Sequence, residues 1–265
     1  MTTPPTHAPA SGAQAAPSAP VALVTGSARR IGAAISRALH AAGYDLALHY
    51  GHSASEARAL AAELERARAG STLLLQADLA QFDRLPELVA NTVGRFGRLD
   101  ALVNNASTFT PTPIGSATPA QWDALFASNA RAPLFLAQAA ARHLRATRGA
   151  IVNLTDIYGE RPLRQHAVYC MAKAALLMAT KSLALELAPE VRVNAVSPGA
   201  ILWPDADEQE NAGNTPAQDA MLARTPLART GTPDEVAEAV RWLLQDASYC
   251  TGQVLQLDGG RLLAG

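Results

Sequence analysis

Val21-Ala22-Leu23-Val24-Thr25-Gly26-Ser27-Ala28-Arg29-Arg30-Ile31-Gly32 is the stretch on which the fold turns. A short apolar run passes through a glycine-containing turn into a helix-patterned segment that continues from Ile31 to Ala42. Outward from it the same exchange repeats. DLALH (45–49) precedes a helical pattern from Ala54 to Arg68, TLLLQ (72–76) one from Asp83 to Phe96, and LDALVN (99–104) a helical stretch around Gln121 to Arg145. GAIVNLT (149–155) leads to a long helix from Tyr169 to Leu187, VRVNAV (191–196) is followed by a helix over 233–244, and QVLQL (253–257) ends the series. The strand runs are almost continuously apolar, as strands are when helices cover both faces of a parallel sheet. The expectation is an α/β fold, a single-domain doubly wound parallel sheet of about seven strands with helices on both faces, spanning 21–265.

Composition narrows the function. The 265 residues are 49% hydrophobic and 17% charged, with 22 Lys+Arg against 23 Asp+Glu for a formal charge of −1. A reader of phosphate backbones carries a basic stripe, so nucleic acid is not an expected partner. Charged residues break every apolar run before the roughly 18 residues a membrane span needs, so no membrane partner is expected either. Cys170 and Cys250 lack a CxxC or a histidine cluster nearby; neither disulfide framework nor metal site is signalled, and reduced cytoplasmic thiols fit best. Residues 1–20 are Pro/Ala-rich with no Lys or Arg and no apolar core, which reads as a disordered tail and not a secretory signal. Residues 203–224 begin as a polar, acidic, proline-punctuated stretch, expected to be a substrate lid.

The turn after the first strand opens a helix whose free N–H groups can receive a diphosphate, with Gly26 and Gly32 letting backbone approach it. About 20 residues on, a dinucleotide fold that prefers NAD places an acid on the ribose 2′-hydroxyl. Here that position reads His49-Tyr50-Gly51-His52-Ser53, with Arg29 and Arg30 in the neighbouring turn. Basic and hydroxyl groups in place of a carboxylate suit a 2′-phosphate, so NADPH/NADP is the expected cofactor. Asp78 and Leu79, after the third strand, are placed beside the adenine.

Tyr169 and Lys173 stand four apart at the start of the long helix, one turn apart on one face. A lysine cation there lowers a tyrosine pKa toward the working range of a general acid. The pair occurs often by chance and gains meaning from its company. With Thr25-Gly26 and Gly32, Asn104-Asn105-Ala106-Ser107, Asn129, Tyr169-x-x-x-Lys173 and Ser197-Pro198-Gly199 in this order, the chain from Val21 to Gly260 resembles the short-chain dehydrogenase/reductase family. The resemblance implies a Rossmann-like fold. It implies that Tyr169 gives or relays the proton, that Lys173 lowers its pKa and binds the nicotinamide ribose, and that Asn129 holds a water in the relay. Ile31, Asn105, Ala106, Ser107, Pro198 and Gly199 complete the expected cofactor contacts.

Three departures sharpen this. Thirteen residues before the tyrosine, where the family usually has serine, stands Asp156, an acceptor-only group when ionised and unsuited to a ketone's developing alkoxide. A carboxyl beside a tyrosine suits a nitrogen heterocycle instead, accepting from ring N–H or passing a proton to ring nitrogen. Arg30 replaces a common glycine and can reach into the cleft, and Phe109 lies where a ring covers a flat substrate on the nicotinamide. The combination looks like the pteridine reductase subgroup. That resemblance implies NADPH-dependent reduction of a pterin or folate surrounded by Arg30, Ser107, Phe109, Asp156 and Tyr169, in a homotetramer formed through helix faces. Asp156 and Tyr169 would protonate a ring nitrogen of a fully oxidised pterin, whereas for the dihydro form water would protonate N5. Trp203 is expected on the lid side of the pocket. The competing expectations are a broad carbonyl reductase with Asp156 a tolerated substitution, and a cofactor-sensing regulator, against which the intact Asn129, Tyr169 and Lys173 speak.

Overall fold

A computed structural model describes residues 19–201 and 215–264. The expected tail, apart from residues 19 and 20, the first part of the expected lid (203–214) and with it Trp203 lie outside the described residues. Seven parallel strands form one sheet in the order β3-β2-β1-β4-β5-β6-β7. They are β1 (Val21–Val24), β2 (Asp45–Tyr50), β3 (Thr72–Gln76), β4 (Ala101–Asn104), β5 (Ala150–Leu154), β6 (Arg192–Pro198) and β7 (Val254–Leu257).

Alternate residues of the strands feed opposite cores, as the two-residue period dictates. Ala22, Val24, Leu46, Leu48, Val103 and Val152 pack with helices α1 (Arg30–Ala41), α2 (Ala54–Ala67) and α8 (Pro233–Gln245). Val21, Leu23, Ala47, Leu102 and Ile151 pack on the other face with α3 (Leu85–Phe96), α5 (Ala132–Thr147) and α6 (Ala167–Leu187). The arrangement is Rossmann-like, and strand order reverses between β1 and β4. Their carboxyl ends therefore bound the crevice in which such sheets bind ligands.

The helical pattern around Gln121 to Arg145 is not one helix. It is α4 (Pro119–Phe126), a π turn (Ala127–Arg131) and α5. Thr118 opens α4 with a capping box to Gln121, and Pro133 brings no N–H to the carbonyl of Asn129 four residues earlier, which interrupts the ladder there. The later part of the expected lid is a short helix, α7 (Pro216–Leu222), capped by Thr215. α6 alone among the described helices is long and apolar enough, at a mean hydropathy of 1.3, to cross a membrane by length and composition. It packs instead against β6, α4 and α5, and it buries Lys173.

Candidate active site

Thr25 leaves β1 and at once serves both sides of the switch point. Its hydroxyl accepts from the N–H groups of Asn105 (2.9 Å) and Ala106 (3.0 Å), while Asn105 Nδ2 donates back to the carbonyls of Thr25 and Gly26 (2.9 Å each). Gly26 sits at φ 62°, and a Cβ there would come within 2.9 Å of the Ala106 Cα; a Cβ on Gly32 would lie 2.0 Å from the Gly26 carbonyl oxygen. Arg30 adopts φ 52°, a strained value for a side-chain-bearing residue, which explains why glycine commonly stands at this place. Arg29, the N-cap of α1, makes no side-chain capping bond, and the first turn of α1 holds no acid. The helix end is thus an anion-receiving terminus. It faces a cavity of about 360 Å³ bordered by Gly26, Arg29, Arg30, Tyr50, Ser53 and Asn105. These residues fit the diphosphate and ribose of a dinucleotide.

Not all the residues expected at the cofactor are found there. His49 is 2% exposed; its Nδ1 accepts from the Gly26 N–H (3.2 Å) and its Nε2 bonds the Ala77 carbonyl (3.1 Å). Burial pushes its pKa from the ordinary 6.5 down to about 4, so it is a neutral strut beneath the turn and brings no positive charge to a phosphate. Asp78 turns its carboxylate to the Ala80 N–H (2.9 Å), Leu79 is buried, His52 is exposed, and none of the three borders the described cavities.

A cavity of about 180 Å³ is bordered by Ile31, Asn105, Ser107, Asp156, Tyr169, Lys173, Pro198 and Gly199. Two residues after β5, Asp156 caps a short 3₁₀ turn (Ile157–Gly159), and its Oδ1 accepts from the Tyr158 N–H (2.9 Å). Its Oδ2 accepts from the Tyr169 hydroxyl at 2.6 Å. Burial raises the Asp156 pKa, opposed by those two hydrogen bonds and by the charges of Lys173 and Arg261. Burial, and after it the negative charge of Asp156, hold the Tyr169 phenol well above its usual range, against the opposing bond from Ser107. The Lys173 ammonium is 5.7 Å from the tyrosine ring and donates to the Leu154 carbonyl (2.9 Å), and burial brings its own pKa down to about 8.

Asn129 is fully buried in the π turn. Its Oδ1 accepts from Ser107 (2.6 Å) and its Nδ2 donates to the carbonyls of Thr108 (2.9 Å) and Leu125 (3.0 Å). The side chain anchors the Ser107 loop instead of facing open space. Phe109 is half exposed, stacked on His166 at 4.4 Å and edge-on to Tyr169 at 4.8 Å. It borders a third cavity, of about 700 Å³, together with Arg30, Asp156 and Tyr169. Tyr158, Leu163, Met221 and Arg261 also line it and were not foreseen. Only Tyr158 carried a local signal, its place two residues after an aspartate that can cap a turn.

The arrangement can hold a dinucleotide at the α1 terminus and deliver a proton from a buried tyrosine-carboxyl pair to a flat ligand under Phe109. A family model described as enoyl-(acyl carrier protein) reductase matches residues 26–261. Pteridine reductase 1 of Leishmania tarentolae is 38% identical over 285 aligned positions, covering 92% of this chain and 96% of that protein. The 3-oxoacyl-(acyl-carrier-protein) reductase of a Synechocystis strain is 37% identical, covering 92% and 98%, and that of a Staphylococcus epidermidis strain 35%, covering 90% and 97%. A turn shaped by Gly26 and Gly32, the buried tyrosine and lysine, and near full-length similarity to reductases agree, and the chain belongs to the short-chain dehydrogenase/reductase family of nicotinamide-dependent oxidoreductases.

Proposed function

We propose that this oxidoreductase is an NADPH-dependent pteridine reductase that reduces an oxidised pterin, a dihydropterin or dihydrofolate to the tetrahydro form. The observation that carries it is the 2.6 Å bond from Tyr169 to a buried carboxyl where the family's ketone reducers place a hydroxyl donor. Arg29, Tyr50 and Ser53 around the ribose position favour the 2′-phosphate of NADPH. When bound, the dihydronicotinamide supplies the hydride. The chain's part is the proton: Tyr169 gives its phenolic proton to the ring nitrogen of an oxidised pterin and recovers one from Asp156, whose pKa burial raises. The carboxylate left behind is held by the Tyr158 N–H and the Tyr169 hydroxyl and faces the positive charges of Lys173 and Arg261. Phe109 and Arg30 cover and orient the flat ring. Exposed Met171, Met178 and Leu185 recur every seven residues on α6, and Leu134 is exposed on α5; these support assembly into a homotetramer through helix faces.

A second function, carbonyl reduction, is favoured by the 3-oxoacyl reductases, which are nearly as similar as the pteridine reductase. NADPH oxidation with dihydrobiopterin, dihydrofolate and a diketone in parallel, with NADH as control, separates the two. Pterin turnover with NADPH that is abolished in Tyr169→Phe is expected; activity confined to the diketone would replace the pterin assignment.

A further inference from the structure

Arg261 reaches the large cavity from the last turn of the described chain, more than a hundred residues from the tyrosine that holds it. Its Nη2 donates to the Tyr158 hydroxyl at 3.0 Å, its guanidinium carbon lies 5.7 Å from that ring, and its carbonyl accepts from Arg161 at 3.2 Å. The side chain is therefore aimed and not loose. The nearest acid in sequence is not its counterion, because both carboxylate oxygens of Asp258 accept backbone N–H groups, from Gly260 (2.8 Å) and Leu262 (2.7 Å). Among the described residues Arg261 forms no ion pair; it acts on Asp156 only as a nearby positive charge.

Arg29 and Arg30 border the same cavity, Arg29 also pairing with Glu56 at 3.7 Å, and among the described residues Asp156 is the one carboxyl that lines it. Asp156 is already engaged on both oxygens. At about 700 Å³ the space is of the size that holds a drug-sized ligand, larger than a bare bicycle requires. A ligand with its ring against Phe109 and Asp156 shares that one cavity with Arg261.

We propose that Arg261, oriented by Tyr158, is a specificity-determining residue that selects reduced pterins carrying an anionic group, a carboxylate or a phosphate, on the side chain. This rests on the pterin assignment of the site. A charge-assisted bond to such a group fixes the tail and does not touch the reacting atoms, so it acts on KM more than on kcat.

The test compares dihydrobiopterin, whose tail is neutral, with dihydrofolate for the carboxylate source and a dihydropterin phosphate monoester for the phosphate source, using the full chain and NADPH. In the unmodified enzyme kcat/KM is higher for at least one anionic substrate. In Arg261→Gln the ratio of anionic to neutral kcat/KM falls about tenfold, which is about 1.4 kcal/mol, with the loss in KM; Arg261→Lys recovers part of it, and Tyr158→Phe gives a smaller fall. Raising salt from about 0.05 to 0.5 M lowers the same ratio. Which anionic substrate loses more in Arg261→Gln identifies the source. An unchanged ratio, or an equal loss on neutral and anionic tails, overturns the role of Arg261 while leaving pterin reduction standing. No turnover of any dihydropterin overturns the pterin assignment and this inference with it.

Discussion

His49→Leu separates a neutral strut from a cofactor cation. The imidazole is 2% exposed and satisfies two backbone groups, the Gly26 N–H and the Ala77 carbonyl. Leucine leaves both unpaired, and at about 1–3 kcal/mol for each buried orphan the variant loses about 2–6 kcal/mol at pH 7.5. The pH dependence is the sharper signature. A histidine whose pKa falls from 6.5 unfolded to about 4 folded contributes stability that is full above pH 6.5 and is lost as pH falls toward 4. The two values correspond to a difference of about 300-fold in proton affinity, about 3 kcal/mol. Urea unfolding at several pH values from 7.5 to 4.5 should show the wild-type and His49→Leu curves converging as pH falls, because only the wild type has this proton uptake to lose. His40 and His143, whose pKa values are also lowered, contribute equally to both proteins and cancel in the difference. NADPH affinity should fall in the variant at pH 7.5, since the turn loses its anchor at Gly26. Parallel stability curves, or unaltered NADPH affinity, would refute the strut.

Asp156→Asn keeps the shape and removes the exchangeable proton, so kcat with an oxidised pterin should fall about 10²–10⁴-fold while NADPH binding persists. Because burial raises the carboxyl's pKa, the ionised form destabilises the fold increasingly as pH rises, and the variant should melt above wild type at pH 8 with the gap closing as pH falls. Asp156→Ser should lose pterin reduction with the fold intact; a gain of diketone turnover with no effect on pterin would contradict the pair's role. Gly32→Ala places a methyl 2.0 Å from the Gly26 carbonyl oxygen, and cofactor binding measured by fluorescence should be lost or weakened at least tenfold. Met178→Glu puts a charge in the middle of the exposed α6 stripe and should shift a tetramer to smaller species in light scattering, leaving the monomer fold unchanged by circular dichroism.

The sheet was readable because parallel strands buried on both faces spell short apolar runs, and because the crossovers between them are long enough to show helical periodicity. The glycines of the first turn were readable for the same local reason: Gly26 and Gly32 answer to backbone geometry a few residues away. The π turn at Ala127–Arg131 was not, since apolar periodicity runs on through α4 and α5, and the only sign of the break is Pro133. Nor could spacing give the direction of His49 at the end of β2, where a polar ring turns inward to serve backbone groups of two neighbouring segments. Arg261 and Tyr158 are joined across a separation that no local pattern encodes.

Lys173 and Tyr169 show how a pairing read from helical spacing leaves open which neighbour dominates the tyrosine's electrostatics. Helical spacing puts both groups in one wall, with the ammonium 5.7 Å from the phenol ring and donating to the Leu154 carbonyl at 2.9 Å. The carboxyl of Asp156 takes the hydrogen bond from the phenol instead and, being negative when ionised, pushes it up. On the proposed function, Asp156 in place of the family's serine lets a carboxyl resupply the proton that Tyr169 gives up. Such a pair gives up a proton readily only while Asp156 is itself protonated, so the alkaline limb of the pterin pH–rate profile should track the ionisation of Asp156. In Asp156→Asn that limb should vanish from the residual activity; if it persists at the same pH, another group governs it and the resupply step fails.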